Sequence, residues 1–189
     1  MRETKKAILE LEDGTVFEGK SFGFEKACSG EVVFNTAMTG YPESLTDPSY
    51  EGQVLVTTFP LIGNYGVPPK EEQDGVARYF ESSRIHCEAI VCQDYSWEYS
   101  HWLAEESLSD WLKREQVVGV YGIDTRALTK LLREKGSMLG RIFIEGAEKP
   151  EFYDPNKENL VAKVSCKKVE TYGDGDKTVA VSYTHLTLP

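Results

Sequence analysis

The stretch EVVFNTAMTGYPESLTDPSYEGQVLVTTFP, residues 31–60, decides the fold of this chain. It opens with a strand candidate, EVVFNT, and ends with GQVLVTTFP, a run of β-formers typical of a strand that is buried on both faces. The loop between them, residues 35–50, carries seven side-chain hydroxyls and two turn-forming prolines, and it contains no Cys, His, Lys or Arg. So much hydroxyl chemistry in one loop indicates a site, although the loop itself lacks the groups that would activate a hydroxyl.

Further strands flank this segment on both sides. AILELEDGTVFEG, residues 7–19, predicts a β-hairpin, because Asp13-Gly14 tolerates the positive φ angles that a tight two-residue turn needs. RIHCEAIVCQDYS, residues 84–96, predicts a fifth strand. One face of that strand would carry Ile85, Cys87, Ala89 and Val91.

Two amphipathic helices follow, SLSDWLKREQ at residues 107–116 and DTRALTKLLREKG at residues 124–136. Each repeats large apolar residues at i, i+3 and i+4, which is helical spacing. These residues are Leu108, Trp111 and Leu112 in the first helix and Leu128, Leu131 and Leu132 in the second. Asp124 is the expected N-cap of the second helix and Gly136 its C-cap. VVGVYG and MLGRIFI, which follow the two helices, predict short strands.

The order of these elements predicts one mixed α/β domain over residues 1–145. Residues 146–176 are polar and are typical of a linker with one short ordered stretch, NLVAKVS. Residues 177–189 begin with KTVAV, which predicts the first strand of a further α/β unit, and continue into an atypical tail. We exclude His185 in that tail from function.

Composition limits the classes of partner. The net charge of −10 argues against general binding to nucleic acid or to an anionic membrane. No window approaches the roughly 18 apolar residues of a membrane helix, and MRETKKAILELEDG at the N-terminus lacks the pattern of a signal peptide. We therefore expect a cytoplasmic protein with reduced cysteines, namely Cys28, Cys87, Cys92 and Cys166.

Common catalytic motifs are missing from the sequence. No cysteine has the small neighbours that expose a nucleophilic sulfur on a sharp turn. His86 and Cys87 are adjacent, so on a strand they would face opposite ways and could not form a dyad. The spacing of His and Cys predicts no metal site, and no glycine-rich phosphate loop is present, so we expect no cofactor. A hydrolase using Ser44 or Ser49 would need a general base, which the sequence does not place.

Local structure accounts for most of the loop's hydroxyls. Tyr41-Pro42 fits the start of a helix, and Asp47-Pro48-Ser49 fits a turn with Asp first and Pro second. On this interpretation the hydroxyls cap backbone groups. On the alternative interpretation, one or two of them face outward as rigid hydrogen-bonding groups for a ligand, a task that needs no base.

Four motifs resemble a known family in order and spacing. They are LEDGTVFEGKSFG, GEVVFNTAMTGYPESLTDPSYEGQ, PLIGNYGV and GIDTRALTKLLREKGSMLG, and they are similar to the N-terminal domain of the small, glutamine-hydrolysing subunit of carbamoyl-phosphate synthase. The resemblance spans residues 6–144 and continues through DPNKENLVAKVSCK. It implies a compact layered β/β/α domain that packs against the large synthetase subunit. It also implies a following class I glutamine amidotransferase domain with a Cys-His-Glu triad.

The resemblance implies a function as well. In the family, ammonia released from glutamine is combined with bicarbonate and two ATP to give carbamoyl phosphate for arginine and pyrimidine synthesis. This chain departs from the family pattern after KTVAV, so no catalytic residue can be carried over and we expect the chain alone to be inactive. The serine of the TDPSY motif contacts the bound glutamine in the family, which implies a substrate-binding role for Ser49. Backbone capping is the alternative for Ser49, and a stand-alone protein-interaction module is the alternative for the chain.

Overall fold

The computed structural model describes residues 4–177 and residue 179. In that part of the chain eleven strands form: β1 (Lys6–Leu11), β2 (Val16–Ser21), β3 (Cys28–Asn35), β4 (Gln53–Thr57), β5 (Leu61–Ile62), β6 (Glu72–Gln73), β7 (Val76–Ala77), β8 (Ala89–Val91), β9 (Asp94–Tyr95), β10 (Val118–Tyr121) and β11 (Met138–Ile144). The α-helices there are α1 (Tyr41–Thr46), α2 (Leu108–Arg114), α3 (Thr125–Lys135) and α4 (Leu160–Val164). Two single 3₁₀ turns are also present, Pro48–Tyr50 and Pro155–Lys157.

The N-terminal hairpin forms where the sequence predicts it. β1 and β2 pair antiparallel, with Leu9 opposite Phe17. Gly14 turns the chain at a φ of +85°, a conformation that glycine adopts without the steric cost of a Cβ. The Asp13 carboxylate accepts a hydrogen bond from the Thr15 N–H at 2.9 Å, which reinforces the turn.

Seven of the strands close into one barrel-like sheet in the order β1-β11-β3-β4-β8-β10-β2. The pairs β3/β4, β4/β8 and β8/β10 are parallel, and the remaining pairs are antiparallel. The mixed α/β class predicted from the sequence is confirmed, with strands dominating. The layered β/β/α arrangement within that class remains a prediction.

Two apolar clusters lie on opposite faces of the parallel strands. In β4, Val54 and Val56 belong to the inner cluster, which also contains Leu128 of α3. Leu55 lies between them in the sequence and belongs to the outer cluster, which also contains Leu45 of α1 and both buried leucines of α2. The prediction that GQVLVTTFP is buried on both faces is therefore confirmed.

The two predicted amphipathic helices form with their expected ends. α2 is capped by Ser107, whose hydroxyl accepts the Asp110 N–H at 3.1 Å. α3 is capped by Asp124, whose carboxylate accepts the Ala127 N–H at 2.8 Å, and it ends at Gly136. Both caps satisfy N–H groups that have no partner inside the helix.

The predicted strand over residues 84–96 is wrong for most of its length. Only β8 and β9 are strands there, and the predicted single apolar face is divided between the two clusters. Ala89 and Val91 join the inner cluster, whereas Ile85 and Cys87 join the outer one. The physical reason is that the chain bonds to the sheet only from Glu88 onward, whereas His86 donates its N–H to the Leu45 carbonyl of α1 at 2.9 Å.

The segment after β11 contains little regular structure, as predicted. Its short ordered middle is confirmed, because α4 forms within NLVAKVS. The structure adds the 3₁₀ turn at Pro155, which is buried. The strand predicted at residues 177–181 lies largely outside the described residues, and the domain boundaries at residues 145 and 176 remain predictions.

Candidate functional site

The hydroxyl-rich loop folds into two short helical pieces, as its prolines predict. α1 begins at Tyr41, with Pro42 in its first turn. Asp47 then accepts a hydrogen bond from the Ser49 N–H at 2.8 Å, and a single 3₁₀ turn follows over Pro48–Tyr50. Both local predictions for this loop are confirmed.

Four of the seven hydroxyls are engaged within the fold. The Tyr41 hydroxyl donates to the Gly66 carbonyl at 2.6 Å, and the Thr46 hydroxyl donates to the Pro42 carbonyl at 2.9 Å. The hydroxyls of Ser44 and Tyr50 each accept from the Asn35 side-chain amide at 3.2 Å. These four hydroxyls hold the loop together. Those of Tyr41 and Thr46 bond to the backbone, in line with the capping interpretation, whereas those of Ser44 and Tyr50 bond to a side chain.

Ser49 is different from these four. Its side chain is exposed, and its hydroxyl makes no hydrogen bond to any residue that the structure describes. The backbone before it is nevertheless held. The ring of Pro48 fixes the φ of that residue, and the Ser49 N–H donates to the Asp47 carboxylate. The capping interpretation therefore fails for the Ser49 hydroxyl, which is a rigidly presented and uncommitted polar group.

A buried carboxylate lies two residues after Ser49. The Glu51 side chain is only 6% exposed. One of its oxygens, Oε2, accepts from His86 Nδ1 at 2.6 Å and from Arg84 Nη2 at 2.9 Å. The other, Oε1, lies 3.2 Å from Lys163 Nζ of α4. A buried charge with this many partners is balanced rather than stranded.

Two opposing effects set the pKa of Glu51. Burial by itself raises the pKa, because it disfavours the charged form. The hydrogen bonds from His86 and Lys163 and the charge of Arg84 outweigh it and hold the pKa below its ordinary value. Glu51 is therefore ionised at neutral pH.

The His86 ring lies between Glu51 and Ser82, so the three side chains form a Glu51–His86–Ser82 row. His86 Nε2 lies 2.9 Å from the Ser82 hydroxyl, an order of groups that superficially matches a serine hydrolase. The Ser82 hydroxyl, however, donates to the Thr46 carbonyl at 2.7 Å. Its hydrogen is thus directed at the backbone, and the row closes the end of α1 rather than activating a nucleophile.

The described histidines, His86 and His101, are candidate general bases for Ser44 and Ser49. Both ring nitrogens of His86 are engaged by Glu51 and Ser82, and neither contacts Ser44 or Ser49. His101 Nδ1 accepts the Leu103 N–H at 3.2 Å. In the described part of the chain, therefore, no histidine is placed to act as a base for the loop.

Burial keeps three of the four thiols protonated. It raises the pKa of Cys28 to about 12 and raises the pKa of Cys87 and Cys92 further in the same direction. Cys166, in the segment after α4, is exposed. A thiolate nucleophile at neutral pH does not arise at the three buried positions.

Ser49 does not lie in a large cleft that the described residues form. That cleft, of about 800 Å³, lies between α2, the β6–β7 hairpin and the segment after α4, and it carries side chains of both charges. A depression beside the loop, lined by Asn35, Met38 and Ser44 among others, has room for about one water at 10 Å³. Ser49 instead faces the open surface, where a second protein surface can reach it.

Residues 4–177 and 179 contain neither a metal-binding cluster nor a helix able to span a membrane. No group of three or more His, Cys, Asp or Glu side chains is arranged there to hold a metal ion. The helices within the same residues are all too short or too polar to cross a membrane.

Sequence reasoning identified Ser49 and missed the groups that support it. His86 and Lys163 lie far in the sequence from Asn35 and Glu51, and no local pattern links the four. One weak signal existed, since Glu51 lies directly before a strand that the sequence predicts to be buried, and a buried carboxylate needs a partner.

Comparison with known proteins finds a family and several relatives that this chain resembles. The family described as "Carbamoyl-phosphate synthase small chain, CPSase domain" matches residues 9–142. The carbamoyl phosphate synthase arginine-specific small chain of Eremothecium gossypii is 54% identical over 168 residues, which cover 87% of this chain and 42% of that protein. The multifunctional protein pyr1-3 of Dictyostelium discoideum is 55% identical over 173 residues, covering 89% of this chain and 8% of that protein.

A human relative has ammonia in its name. The mitochondrial carbamoyl-phosphate synthase [ammonia] of Homo sapiens is 49% identical over 178 residues, covering 93% of this chain and 12% of that protein. A solved peptidase M28 precursor from Shewanella amazonensis SB2B has a TM-score of 0.40 at 6% identity over 76% of this chain and 35% of its own, which is too low to carry an argument. This chain spans less than half the length of these curated relatives. It belongs to the family of the carbamoyl-phosphate synthase small chain, CPSase domain.

Proposed function

We propose that this chain is the non-catalytic part of a glutamine-dependent carbamoyl-phosphate synthase. In the proposal it docks the large synthetase subunit and completes the glutamine pocket of an amidotransferase domain through Ser49. The complete enzyme would convert glutamine, bicarbonate and two ATP into carbamoyl phosphate. The observation that supports this most directly is that Ser49 combines a held backbone, an exposed side chain and an uncommitted hydroxyl close to four engaged hydroxyls.

Physical chemistry favours binding over catalysis at Ser49. A hydroxyl can donate to or accept from the polar groups of glutamine without adding charge to the pocket. Because Asp47 and Pro48 already fix the turn, little conformational entropy is lost when a ligand binds. Among the residues that the structure describes, no histidine is placed to activate the Ser49 hydroxyl, so a nucleophilic role has no support from them.

The proposed partners follow from the family. The small-chain relative bears the name of one subunit of a synthase, and the multifunctional relative carries the matched region within a much longer chain. The large synthetase subunit would therefore meet this chain either as a separate subunit or as part of the same polypeptide. We propose a cytoplasmic location, as the sequence predicts, and note that the human relative is named as mitochondrial.

Ser49 can be tested in the assembled enzyme that contains this chain, an amidotransferase domain and the large subunit. Ser49→Ala should raise the KM for glutamine about fivefold, because one hydrogen bond is worth about 1 kcal/mol and each 1.4 kcal/mol corresponds to a factor of ten. Synthesis driven by ammonia should be unchanged. The matched control is Ser100→Ala, which removes another exposed hydroxyl and should leave both activities as they are.

Two outcomes would favour other interpretations. An assembled enzyme that uses ammonia but not glutamine, as the name of the human relative describes for that protein, would remove the glutamine pocket from the proposal. A purified chain that turns glutamine into glutamate by itself would contradict the non-catalytic role. Failure to bind any synthetase subunit would favour the stand-alone interaction module.

A further inference from the structure

The segment after β11 crosses back over the turn that presents Ser49. Gly52 has a φ of +75°, and a Cβ built there would lie 3.0 Å from the Cβ of Pro155 and 3.5 Å from Tyr153 Cε1. The Tyr153 N–H donates to the Ser29 hydroxyl of β3 at 2.9 Å. This segment therefore packs directly on the chain that leads out of the Ser49 turn, and a side chain at Gly52 would obstruct it.

α4, which follows in the same segment, has little else to hold it. The helix has five residues, and none of them is buried. A helix this short is not stable in water by itself, and only Leu160 and Val164 of its apolar residues are partly buried. Asn159 caps its start by accepting the Ala162 N–H at 2.9 Å, but that contact is internal to the helix. An ion pair between Lys163 and Glu51, with 3.2 Å between Nζ and Oε1, joins it to the body of the domain.

Glu51 is equally part of the Ser49 turn. Its N–H donates to the Pro48 carbonyl at 3.1 Å, which closes the 3₁₀ turn, and the Tyr50 N–H donates to the Asp47 carbonyl at the same distance. Glu51 is therefore the residue at which the 3₁₀ turn ends. A movement of this carboxylate is transmitted to the backbone beside Ser49.

We propose that Glu51 is a positioning residue that ties α4 to the Ser49 turn. We name the group of Glu51, Arg84, His86 and Lys163 the Glu51 clamp. In the clamp, Arg84 and His86 fix one carboxylate oxygen to the body of the domain, and Lys163 draws α4 to the other. The position of the segment after β11 thereby governs how firmly Ser49 is presented. The effect on glutamine rests on the proposed function, whereas the coupling between α4 and the turn does not.

The four members of the clamp are not equivalent, and this makes the proposal testable. Arg84 and His86 keep Glu51 paired when Lys163 is removed, so the carboxylate is not left without a partner. Lys163 is also 42% exposed, so its loss does not open a buried cavity. Lys163→Met, which keeps the apolar stem and removes the charge, should therefore preserve the fold while releasing α4.

The test measures amide hydrogen exchange in the full chain. In Lys163→Met, the amides of α4 should exchange at least tenfold faster, and those of Tyr50 and Glu51 in the turn should accelerate in the same variant. Lys163→Arg should restore both, because it returns the positive charge. Exchange in β1, far from the clamp, serves as the reference for global stability and should not change.

The matched control is Glu158→Gln. Glu158 is the other carboxylate near Lys163, at 3.8 Å and half exposed, and its removal should leave the turn amides unchanged. The proposal is overturned if Lys163→Met accelerates α4 while the turn amides exchange as in the wild type. It is equally overturned if α4 itself does not respond.

A kinetic readout separates this proposal from the function proposed for Ser49. In the assembled enzyme, Lys163→Met should raise the KM for glutamine severalfold and leave ammonia-driven synthesis unchanged. If Ser49→Ala has no effect on KM while the exchange coupling is observed, the glutamine role fails and the clamp stands. If Ser49→Ala raises the KM for glutamine while Lys163→Met leaves the exchange rates of the turn amides unchanged, the clamp fails and the glutamine role stands.

Discussion

Two Asp-Pro turns in this protein share one local construction. At residues 47–49 the Asp47 carboxylate accepts the N–H of the residue two positions on at 2.8 Å. At residues 154–156 the Asp154 carboxylate accepts the equivalent N–H at 3.0 Å. In both places a proline begins a single 3₁₀ turn. The same three-residue chemistry therefore gives the same backbone twice.

The surroundings of the two turns differ. The first follows α1, in which Leu45 and Thr46 are buried, and leads into the buried Glu51. The second leads into α4, in which no residue is buried. The comparison shows that turn chemistry sets the local conformation, whereas long-range burial and charge pairing decide how firmly a turn is held in place.

The largest difference between the two regions is expected from apolar truncation. Leu45→Ala removes a side chain with 0% exposure and should lower the free energy of unfolding by about 2–5 kcal/mol, through lost burial and a new cavity. Val161→Ala, at 60% exposure in α4, should change it by no more than about 0.5 kcal/mol. Urea unfolding of both variants measures the contrast, and equal losses would contradict it.

A smaller effect is expected at Glu51. Glu51→Gln weakens the hydrogen bonds that the buried carboxylate accepts from charged groups, and should cost about 1–3 kcal/mol at pH 7. The control is Glu71→Gln, which breaks the exposed pair with Arg78 and should cost less than about 1 kcal/mol. Chemical unfolding at constant salt compares the two.

The pH dependence of this effect has a defined direction. Because the folded pKa of Glu51 lies below its ordinary value of 4.5, its stabilisation is present in full above that value and is lost as the pH falls through the folded pKa. The stability difference between the wild type and Glu51→Gln should therefore shrink on acidification below about pH 4.5. A difference that grows on acidification would show that the pKa is raised instead.

The smallest effect compares the two turns themselves. Asp47→Ala removes a cap and should cost about 1 kcal/mol. Asp154→Ala removes the same hydrogen bond in the segment after β11. It should cost less because α4, which follows that turn, contains no buried residue, although Pro155 within the turn is itself buried. Thermal or chemical unfolding distinguishes the two, and a larger loss for Asp154→Ala would reverse the assignment of the firmly held turn.

Local signals predict a large part of this fold. Asp13-Gly14, Asp124 and Gly136 act within their own turns or helix ends, so their roles can be inferred from a few neighbouring residues. The same is true of Asp47-Pro48, which predicts the turn that carries Ser49. The alternation of Val54, Leu55 and Val56 between two clusters also follows from a continuous β-forming run.

The rest depends on contacts between distant segments. The apolar alternation of residues 85–91 resembles a strand, but Ile85 and Cys87 lie outside the sheet because the chain there bonds to α1. No local sequence pattern predicts the parallel pairing of β3 with β4 or the closure of the sheet. The Glu51 clamp is the extreme case, since its carboxylate is balanced by groups from two other parts of the chain.

The central claim is that Ser49 forms one side of a glutamine site. The most direct measurement is the ratio of glutamine-driven to ammonia-driven carbamoyl-phosphate synthesis, at glutamine below its KM, in the assembled enzyme with Ser49→Ala. The account predicts that this ratio falls about fivefold relative to the wild type and to Ser100→Ala. A ratio equal to that of the wild type would contradict it.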